Sequence, residues 1–299
     1  MAGFIMSGRY QAIVFISLFA VLSLVIPPFV FLSNAAVALV ALRQGYNQGI
    51  IVALISSIVF AVIAMLLQQN FLTGLASALQ QWLPMILFAT ILTRTVSWAY
   101  TLQAMLLIVV GGLIVFHLSI SDAQEYWKDT ISHLVDVFSK EQAWSKEDSR
   151  KFIEVLSTWV STIIAVGLLV SWIVSMFIAR HWQAMLYNPG GFGEEFRELR
   201  LGKVLAIALL IVVLLFVMTD SQLFADLSIV GMTVYFFQGL ALIHGLVKKL
   251  QMSHFWLVGM YIFMIPIFPS MLVIIILLVS FGIIDSFADF RNTLTINSN

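Results

Sequence analysis

The sequence predicts an all-α fold: a polytopic membrane helix bundle with proline-broken short hairpins and one helical hairpin outside the membrane. Of its 299 residues, 61% are hydrophobic and 10% are charged, whereas soluble domains have about 45–50% apolar and about 25% charged residues. The mean hydropathy is +1.03. Several uncharged stretches also approach the roughly 20 residues with which a helix crosses a bilayer. The lipid bilayer is therefore the expected surroundings of this chain.

Uncharged stretches place the membrane segments along the chain. Six of them each predict one helix, and the proline in the second is tolerated in membrane helices: Gly49–Leu67, Leu75–Leu92, Leu102–Leu118, Val155–Ala179, Val204–Thr219 and Leu227–Val247. Two longer stretches, Gln11–Leu42 and Phe255–Ile284, each contain two prolines. Because proline breaks a helix, we interpret both as hairpins of short segments. The total is about ten segments, each near the spanning length or shorter.

Basic residues orient these segments, because lysine and arginine favour the cytoplasmic ends of membrane helices. With both termini cytoplasmic, ten of the 15 basic residues fall inside: Arg9, Arg43, Arg94, Arg180, Arg197, Arg200, Lys203, Lys248, Lys249 and Arg291. Acidic residues predominate in the outer segment 119–154, and Asp220 and Asp226 bound an outer turn. The pattern predicts a multi-pass protein of the bacterial inner membrane. The first apolar run exceeds signal-peptide length, so we expect it to be retained.

The organisation follows from this topology. Residues 1–118 form N-terminal membrane helices, and residues 155–299 form C-terminal membrane helices with a cytoplasmic loop at 180–203. Between them, residues 119–154 are predicted to form the extracytoplasmic helical hairpin, with an apolar stripe at helical spacing made of Trp127, Ile131, Leu134 and Phe138. This stripe is a candidate surface for a membrane-protein partner. Alternatively, it rests on the membrane surface or on the protein's own bundle.

Small residues recur every fourth position in two segments. The first series is Gly49, Ala53, Ser57 and Ala61; the second is Gly167, Ser171 and Ser175. Such ridges let helix backbones approach closely. We expect them to pack within the protein, with docking of another membrane protein as the alternative.

Neutral polar residues inside the apolar segments are the candidate ligand-binding residues, because polar groups at membrane depth are costly and often functional. They are Asn34, Gln80, Gln81, Gln238 and His244. Each could instead bond a neighbouring helix. A neutral or amphipathic small molecule is the ligand class that such amides in an apolar cavity would suit.

Several function classes receive no support from the sequence. No His-Glu-x-x-His, Gly-x-Ser-x-Gly or P-loop motif occurs, so we expect no enzyme activity and assign no catalytic residues. The absence of cysteine excludes thiolate nucleophiles and cysteine-bound metals, and we predict no metal site and no cofactor. With zero net charge and no long basic cluster, nucleic acid is not an expected partner.

Charged residues at the predicted inner face form a candidate cluster: Arg197, Arg200, Asp285, Asp289 and Arg291. Asp285 and Asp289 are four residues apart and therefore share one helix face. We expect at least one of these carboxylates to pair with an arginine, whose planar guanidinium matches it. The pairing would clasp the last helix to the preceding loop. As the alternative, it would act as a switch or docking site.

The inner-face motifs also carry a family resemblance. They are Arg43-x-Gly45, Phe196-Arg-x-x-Arg200 and Gly282-x-x-Asp-x-x-x-Asp-Phe-Arg291. With the proline-interrupted first hairpin, they make nearly the whole chain similar to the YybS-like family of bacterial membrane proteins. The first several helices distantly resemble the substrate-binding components of energy-coupling-factor transporters. These resemblances imply a polytopic inner-membrane protein, and the second implies small-molecule binding.

Two function hypotheses follow. The first is a transport-type or ligand-binding membrane protein for a neutral or amphipathic small molecule, which predicts a polar cavity near the membrane midplane, flanked by Asn34 or Gln238. The alternative is a non-transporting scaffold or accessory subunit that binds other envelope membrane proteins through the 119–154 hairpin or the small-residue ridges.

Overall fold

The structure is a computed structural model that describes residues 1–68, 70–120, 122–139, 146–266, 270–288 and 290–293. All regular secondary structure in these ranges is helical, which confirms the predicted all-α class. The helices are α1 (Ala2–Met6), α2 (Arg9–Leu22), α3 (Phe29–Gln44), α4 (Tyr46–Leu66), α5 (Phe71–Thr95), α6 (Trp98–Ser119), α7 (Ala123–Ser139), α8 (Lys146–Tyr187), α9 (Gly191–Arg197), α10 (Lys203–Thr219), α11 (Gln222–Lys249), α12 (Phe255–Phe263), α13 (Ser270–Ala288) and α14 (Phe290–Thr293).

Length and composition identify the helices that can cross a membrane. Six of the described helices are both long and apolar enough: α4, α5, α6, α8, α11 and α13. Three shorter apolar helices, α2, α3 and α10, accompany them. The chain is therefore a polytopic helical membrane protein, as the sequence predicted.

The proline-containing stretches each divide into two helices. In the first, α2 ends at Leu22 and α3 begins at Phe29, directly after Pro28. The two helices pack antiparallel: the Ser33 hydroxyl donates to the Ile16 carbonyl at 2.9 Å. In the second, α12 ends at Phe263 and α13 begins at Ser270. Helix breaks thus lie where proline removes a backbone donor.

The short helix α3 lies at the centre of the N-terminal half. Every residue from Ser33 to Leu42 is buried, because α2, α4, α5 and α8 all pack against it. The small-residue ridge of α4 contributes to this packing. Ala53, Ser57 and Ala61 are fully buried, so that ridge is occupied within the protein and is no docking surface. In α8, Ser171 and Ser175 are buried, whereas Gly167 is exposed.

The predicted outer hairpin consists of α7 packed against the first part of α8. Its second arm is continuous with the next membrane segment, since α8 runs for 42 residues. A helix of that length measures about 63 Å, longer than the roughly 40–45 Å of a bilayer with its headgroups. Helix α8 therefore extends beyond the membrane, and α7 folds back along it.

The stripe of α7 requires a correction. Ile131 is buried, and the Trp127 indole N–H donates to the Ser161 hydroxyl of α8 at 2.7 Å. These two residues face the bundle because their apolar surface is removed from water there, so they are not an outward partner surface. The side chains of Leu134 and Phe138 lie outside the described part of the structure.

A close helix crossing joins α11 and α13 through two glycines. A Cβ atom added at Gly239 would lie 2.0 Å from the Leu278 carbonyl oxygen. One added at Gly282 would lie 2.3 Å from the Tyr235 carbonyl oxygen. Because backbone atoms oppose both positions, no side-chain rotation can make room. Glycine is therefore required on both helices.

We predict that Gly239→Ala or Gly282→Ala lowers the free energy of unfolding by about 1–3 kcal/mol or more, the usual cost of overpacking a core. The measurement is the thermal unfolding midpoint in neutral detergent. Gly111→Ala is the matched control, since a Cβ there would meet no described heavy atom within 4 Å. It should be neutral or stabilising by up to about 1 kcal/mol. Equal midpoints for the Gly239 and Gly111 variants would contradict the close crossing.

Candidate functional site

An apolar groove of about 740 Å³ opens between α5, α6 and α8, and α7 covers one end of it. We call it the α7-end groove. Its volume lies in the range of small-molecule sites, about 300–1,000 Å³. Apolar side chains make up most of its wall, among them Leu79, Leu83, Val109, Leu113 and Leu168.

The residues of α8 that line the α7-end groove give its length. Ser161, Ala165, Leu168 and Trp172 line it, and their spacing of three or four residues places them on one helix face. From Ser161 to Trp172 the helix rises about 16 Å. That is about half of the roughly 30 Å hydrocarbon core of a bilayer, so the groove is about as long as one lipid leaflet is deep.

The α7-end groove is open along its side and covered at its end. Leu83, Ile108 and Ile164 on its walls are 43%, 41% and 53% exposed. In apolar spans such surfaces face lipid. At the end, Tyr126 and Trp127 of α7 close over the groove. A molecule dissolved in the bilayer can therefore reach the groove sideways.

Two polar groups on the wall lack their usual partners. The Trp172 indole N–H has no hydrogen-bond partner among the described residues, although Trp172 is only 2% exposed. Pro84 has no N–H to donate to the Gln80 carbonyl four residues earlier, and both residues line the groove. Buried polar groups are normally paired. The wall of the groove thus includes two residues, Trp172 and Gln80, with a polar group that lacks its usual partner.

The structure separates the predicted ligand residues. Gln80 lines the α7-end groove, whereas Gln81 points the other way and accepts from the Asn34 amide at 3.2 Å. That amide also lies 3.5 Å from the Ser171 hydroxyl. Asn34 and Gln81 therefore connect α3, α5 and α8. Their position indicates interhelical hydrogen bonding inside the core.

Gln238 is also bonded within the bundle. Its side-chain oxygen accepts from the Leu201 backbone N–H at 2.8 Å, and its amide donates to the Gly282 carbonyl at 2.8 Å. His244 lies within 2.9 Å of the Tyr261 hydroxyl and lines a cavity at the opposite end of the bundle. Of the five predicted residues, Gln80 and His244 line a described cavity.

The inner-face cluster contains a buried ion pair. A guanidinium nitrogen of Arg291 lies 3.2 Å from an Asp285 carboxylate oxygen, and both residues are buried. Arg291 also donates to the carbonyls of Leu199 and Arg197. This α13 clasp (Asp285, Arg291 and those two carbonyls) joins the end of the chain to the segment after α9. Asp289 lies outside the described residues.

The other two predicted arginines have different positions. Arg197 contributes its backbone carbonyl to the α13 clasp, while its side chain lines cavities. Arg200 lies between α9 and α10. The expected pairing of an arginine with Asp285 therefore involves Arg291.

A buried carboxylate at the α7 end was missed by the sequence reasoning. Asp226 was assigned to an outer turn, but it lies in α11 and is fully buried. Its oxygens lie 2.9 Å from His117, 2.5 Å from the Thr162 hydroxyl and 2.9 Å from the Gln222 amide. The pair Gln222 and Asp226, at i and i+4 on one helix face, was the available signal. Three donors occupy the carboxylate, which leaves it poorly suited to hold a cation.

Metal-binding geometry is not found in the described ranges, where no group of three or more His, Asp, Glu or Cys residues could hold an ion.

Comparison with known proteins identifies the family. A family model described as "Predicted membrane protein (DUF2232)" matches residues 13–286, so the chain belongs to this family. No curated protein and no solved structure matches the chain. The YybS-like and energy-coupling-factor resemblances stay predictions.

We predict that Arg291→Met lowers the free energy of unfolding by about 3–5 kcal/mol, because it leaves the Asp285 carboxylate buried and unpaired. Denaturant unfolding in detergent measures the change. Asp285→Leu combined with Arg291→Met should lower the free energy of unfolding less than Arg291→Met alone, since neither charge then stays buried. Arg94→Met, which removes an exposed cation, is the control and should change stability by at most about 0.5 kcal/mol. If Arg291→Met is as stable as Arg94→Met, the α13 clasp does not stabilise the fold.

Proposed function

We propose that this membrane protein is of the transport or ligand-binding type and holds a neutral or amphipathic small molecule in the α7-end groove. One observation carries the proposal: the wall of an apolar, laterally open groove of about 740 Å³ includes Trp172, whose buried indole N–H has no partner in the described residues. A bound molecule with a hydrogen-bond acceptor would satisfy that donor.

The wall chemistry favours a ligand without net charge. None of the described residues that line the α7-end groove is acidic, basic or histidine. An ionised group placed there would lose its hydration without gaining a counter-charge, which costs several kcal/mol. Besides the Trp172 donor and the Gln80 carbonyl, the groove offers the side chains of Ser161 and Tyr126. A hydroxyl, carbonyl or amide group on an apolar chain fits this set.

The arrangement of α7 suits a cover over such a ligand. Within the described residues, side-chain hydrogen bonds connect α7 to α8 from Trp127 to Ser161 at 2.7 Å and from Gln124 to Thr158 at 3.1 Å. The Trp127 ring also stacks on Phe116 of α6, with centroids 5.7 Å apart. Lateral access combined with a covered end supports uptake from the bilayer.

The scaffold alternative has less support. It depended on the apolar stripe of α7 and on the small-residue ridges, and Ile131, Ala53, Ser57 and Ala61 are buried inside the bundle. The proposal includes no catalytic step. Asp226 and His117, the buried carboxylate and imidazole at the α7 end, are absent from the groove lining.

We predict that Gly112→Phe reduces ligand binding in the α7-end groove by about tenfold or more, which corresponds to about 1.4 kcal/mol. Gly112 lines the groove, and a Cβ there would meet no described heavy atom within 4 Å, so the ring can enter the open space. The measurement is photolabelling in proteoliposomes with a neutral long-chain alcohol that carries a diazirine. Peptide mass spectrometry then locates the labelled positions in α5, α6 and α8.

Gly111→Phe is the matched control for this experiment. It makes the same change one position away, where a Cβ is equally free of contacts but the residue does not line the groove. We expect this variant to be photolabelled like the unaltered protein, and we expect unlabelled alcohol to compete with the labelling in a saturable way. Labelling that does not saturate, or that falls equally in both variants, would refute the proposed site. Mass spectrometry of gently purified protein then identifies the native occupant.

A further inference from the structure

A second cavity, at the opposite end of the bundle from α7, is lined by basic side chains. It measures about 650 Å³, and its wall includes Arg197, His244, Lys248 and His254. Among the residues that the structure describes, no acidic one lines it. We call it the cationic cavity. An adjoining cavity of about 540 Å³ shares Arg197 and Lys248 and adds His181 and Glu194.

The two cations shared by these cavities have no partner within the described residues, unlike other cations nearby. Arg180 pairs with Glu195, with a guanidinium nitrogen 3.0 Å from its carboxylate. Arg291 pairs with Asp285, and the Arg43 guanidinium lies 3.9 Å from the centre of the Tyr187 ring. Neither the Arg197 guanidinium nor the Lys248 ammonium makes an ion pair with any described carboxylate.

The cationic cavity adjoins an apolar cleft. The cleft measures about 740 Å³, lies between α11, α12 and α13, and shares Val247 and Met252 with the cationic cavity. Phe255 and Trp256 line it and are 82% and 66% exposed. Exposed aromatic rings at a helix start are typical of the interface between membrane and water. A charged region and an apolar region therefore meet at the edge of the bundle.

We infer that these joined spaces bind an amphiphile with a phosphate group, its anionic head in the cationic cavity and its apolar chains in the cleft. Arg197 supplies a planar guanidinium that can bind phosphate oxygens through two hydrogen bonds, and Lys248 supplies a second positive charge. His244 and His254 add nitrogen atoms on the same wall. This ligand differs from that of the α7-end groove, which has no charged residue in its lining.

Membrane topology alone accounts for basic residues at this end, because lysine and arginine favour cytoplasmic loops. It does not account for their arrangement. Arg94 and Lys203, two other exposed cations expected on the same side, are absent from the walls of both basic cavities. Arg197 and Lys248 instead line one space that shares wall residues with an apolar cleft, which is the arrangement an anionic amphiphile requires.

The test compares two pairs of substitutions in the full chain by native mass spectrometry in neutral detergent, with dioleoyl phosphatidylglycerol as the probe. Arg197→Gln with Lys248→Gln should weaken binding of the first lipid at least about tenfold. Arg94→Gln with Lys203→Gln removes the same amount of charge elsewhere at this end of the bundle and should leave binding of the first lipid unchanged. Dioleoyl phosphatidylcholine should bind weakly to all forms. Equal losses in both pairs, or equal binding of the two lipids, would overturn the inference.

A second variant separates the lipid from a soluble phosphate ester. Gly259 lines the cleft, and a Cβ there would meet no described heavy atom within 4 Å, so Gly259→Phe fills the cleft without touching the cations. We expect it to weaken phosphatidylglycerol binding severalfold, while Gly111→Phe does not. Glycerol 3-phosphate should bind far more weakly than the lipid. If it binds as tightly, or if Gly259→Phe has no effect, the chain-binding part of the inference is wrong. Unfolding midpoints of all variants exclude misfolding as the cause.

Discussion

The absence of water in the hydrocarbon core is the constraint on which the rest of this structure depends. A polar group there must bond within the protein or remain costly. Most of the buried polar side chains described above comply: Asn34 bonds across two helices, Gln238 bonds backbone groups from two segments, and Asp226 receives three donors. Among the described residues, the Trp172 indole N–H has no such partner, and the same is true of the Asn34 side-chain oxygen and the Ser56 hydroxyl.

The same constraint explains the central position of α11. Without a hydrophobic force between helices in lipid, association depends on close packing and interhelical bonds. Helix α11 has both, since Gly239 brings it into backbone contact with α13 and Gln238, one residue earlier, bonds the Gly282 carbonyl of that helix. The Arg291 contacts then connect the end of the chain to the segment after α9. The last two helices, α13 and α14, are thus held in place by contacts to backbone atoms, and these contacts tolerate little change.

The sequence predicted the features that depend on local residue order. Proline positions located the helix breaks, uncharged stretches located the spans, and the charged residues at the inner face indicated that Asp285 or Asp289 pairs with an arginine. It did not predict the pairing of His117 with Asp226. That pairing depends on α6 and α11 lying side by side, and these two helices are distant in sequence. It also could not predict which face of α7 is buried or the space beside Gly112, since both depend on how neighbouring side chains fill the volume between helices.

The unbroken length of α8 has a mechanical consequence. At one end of α8, Thr158 and Ser161 bond α7. Further along the same helix, Leu168 and Trp172 line the groove. Beyond the apolar middle of α8, Arg180 is ion-paired with Glu195. A continuous helix has no hinge between these points. Among the described elements, α3 packs most extensively against α8. If α8 tilts about this contact, its two ends therefore move in opposite directions.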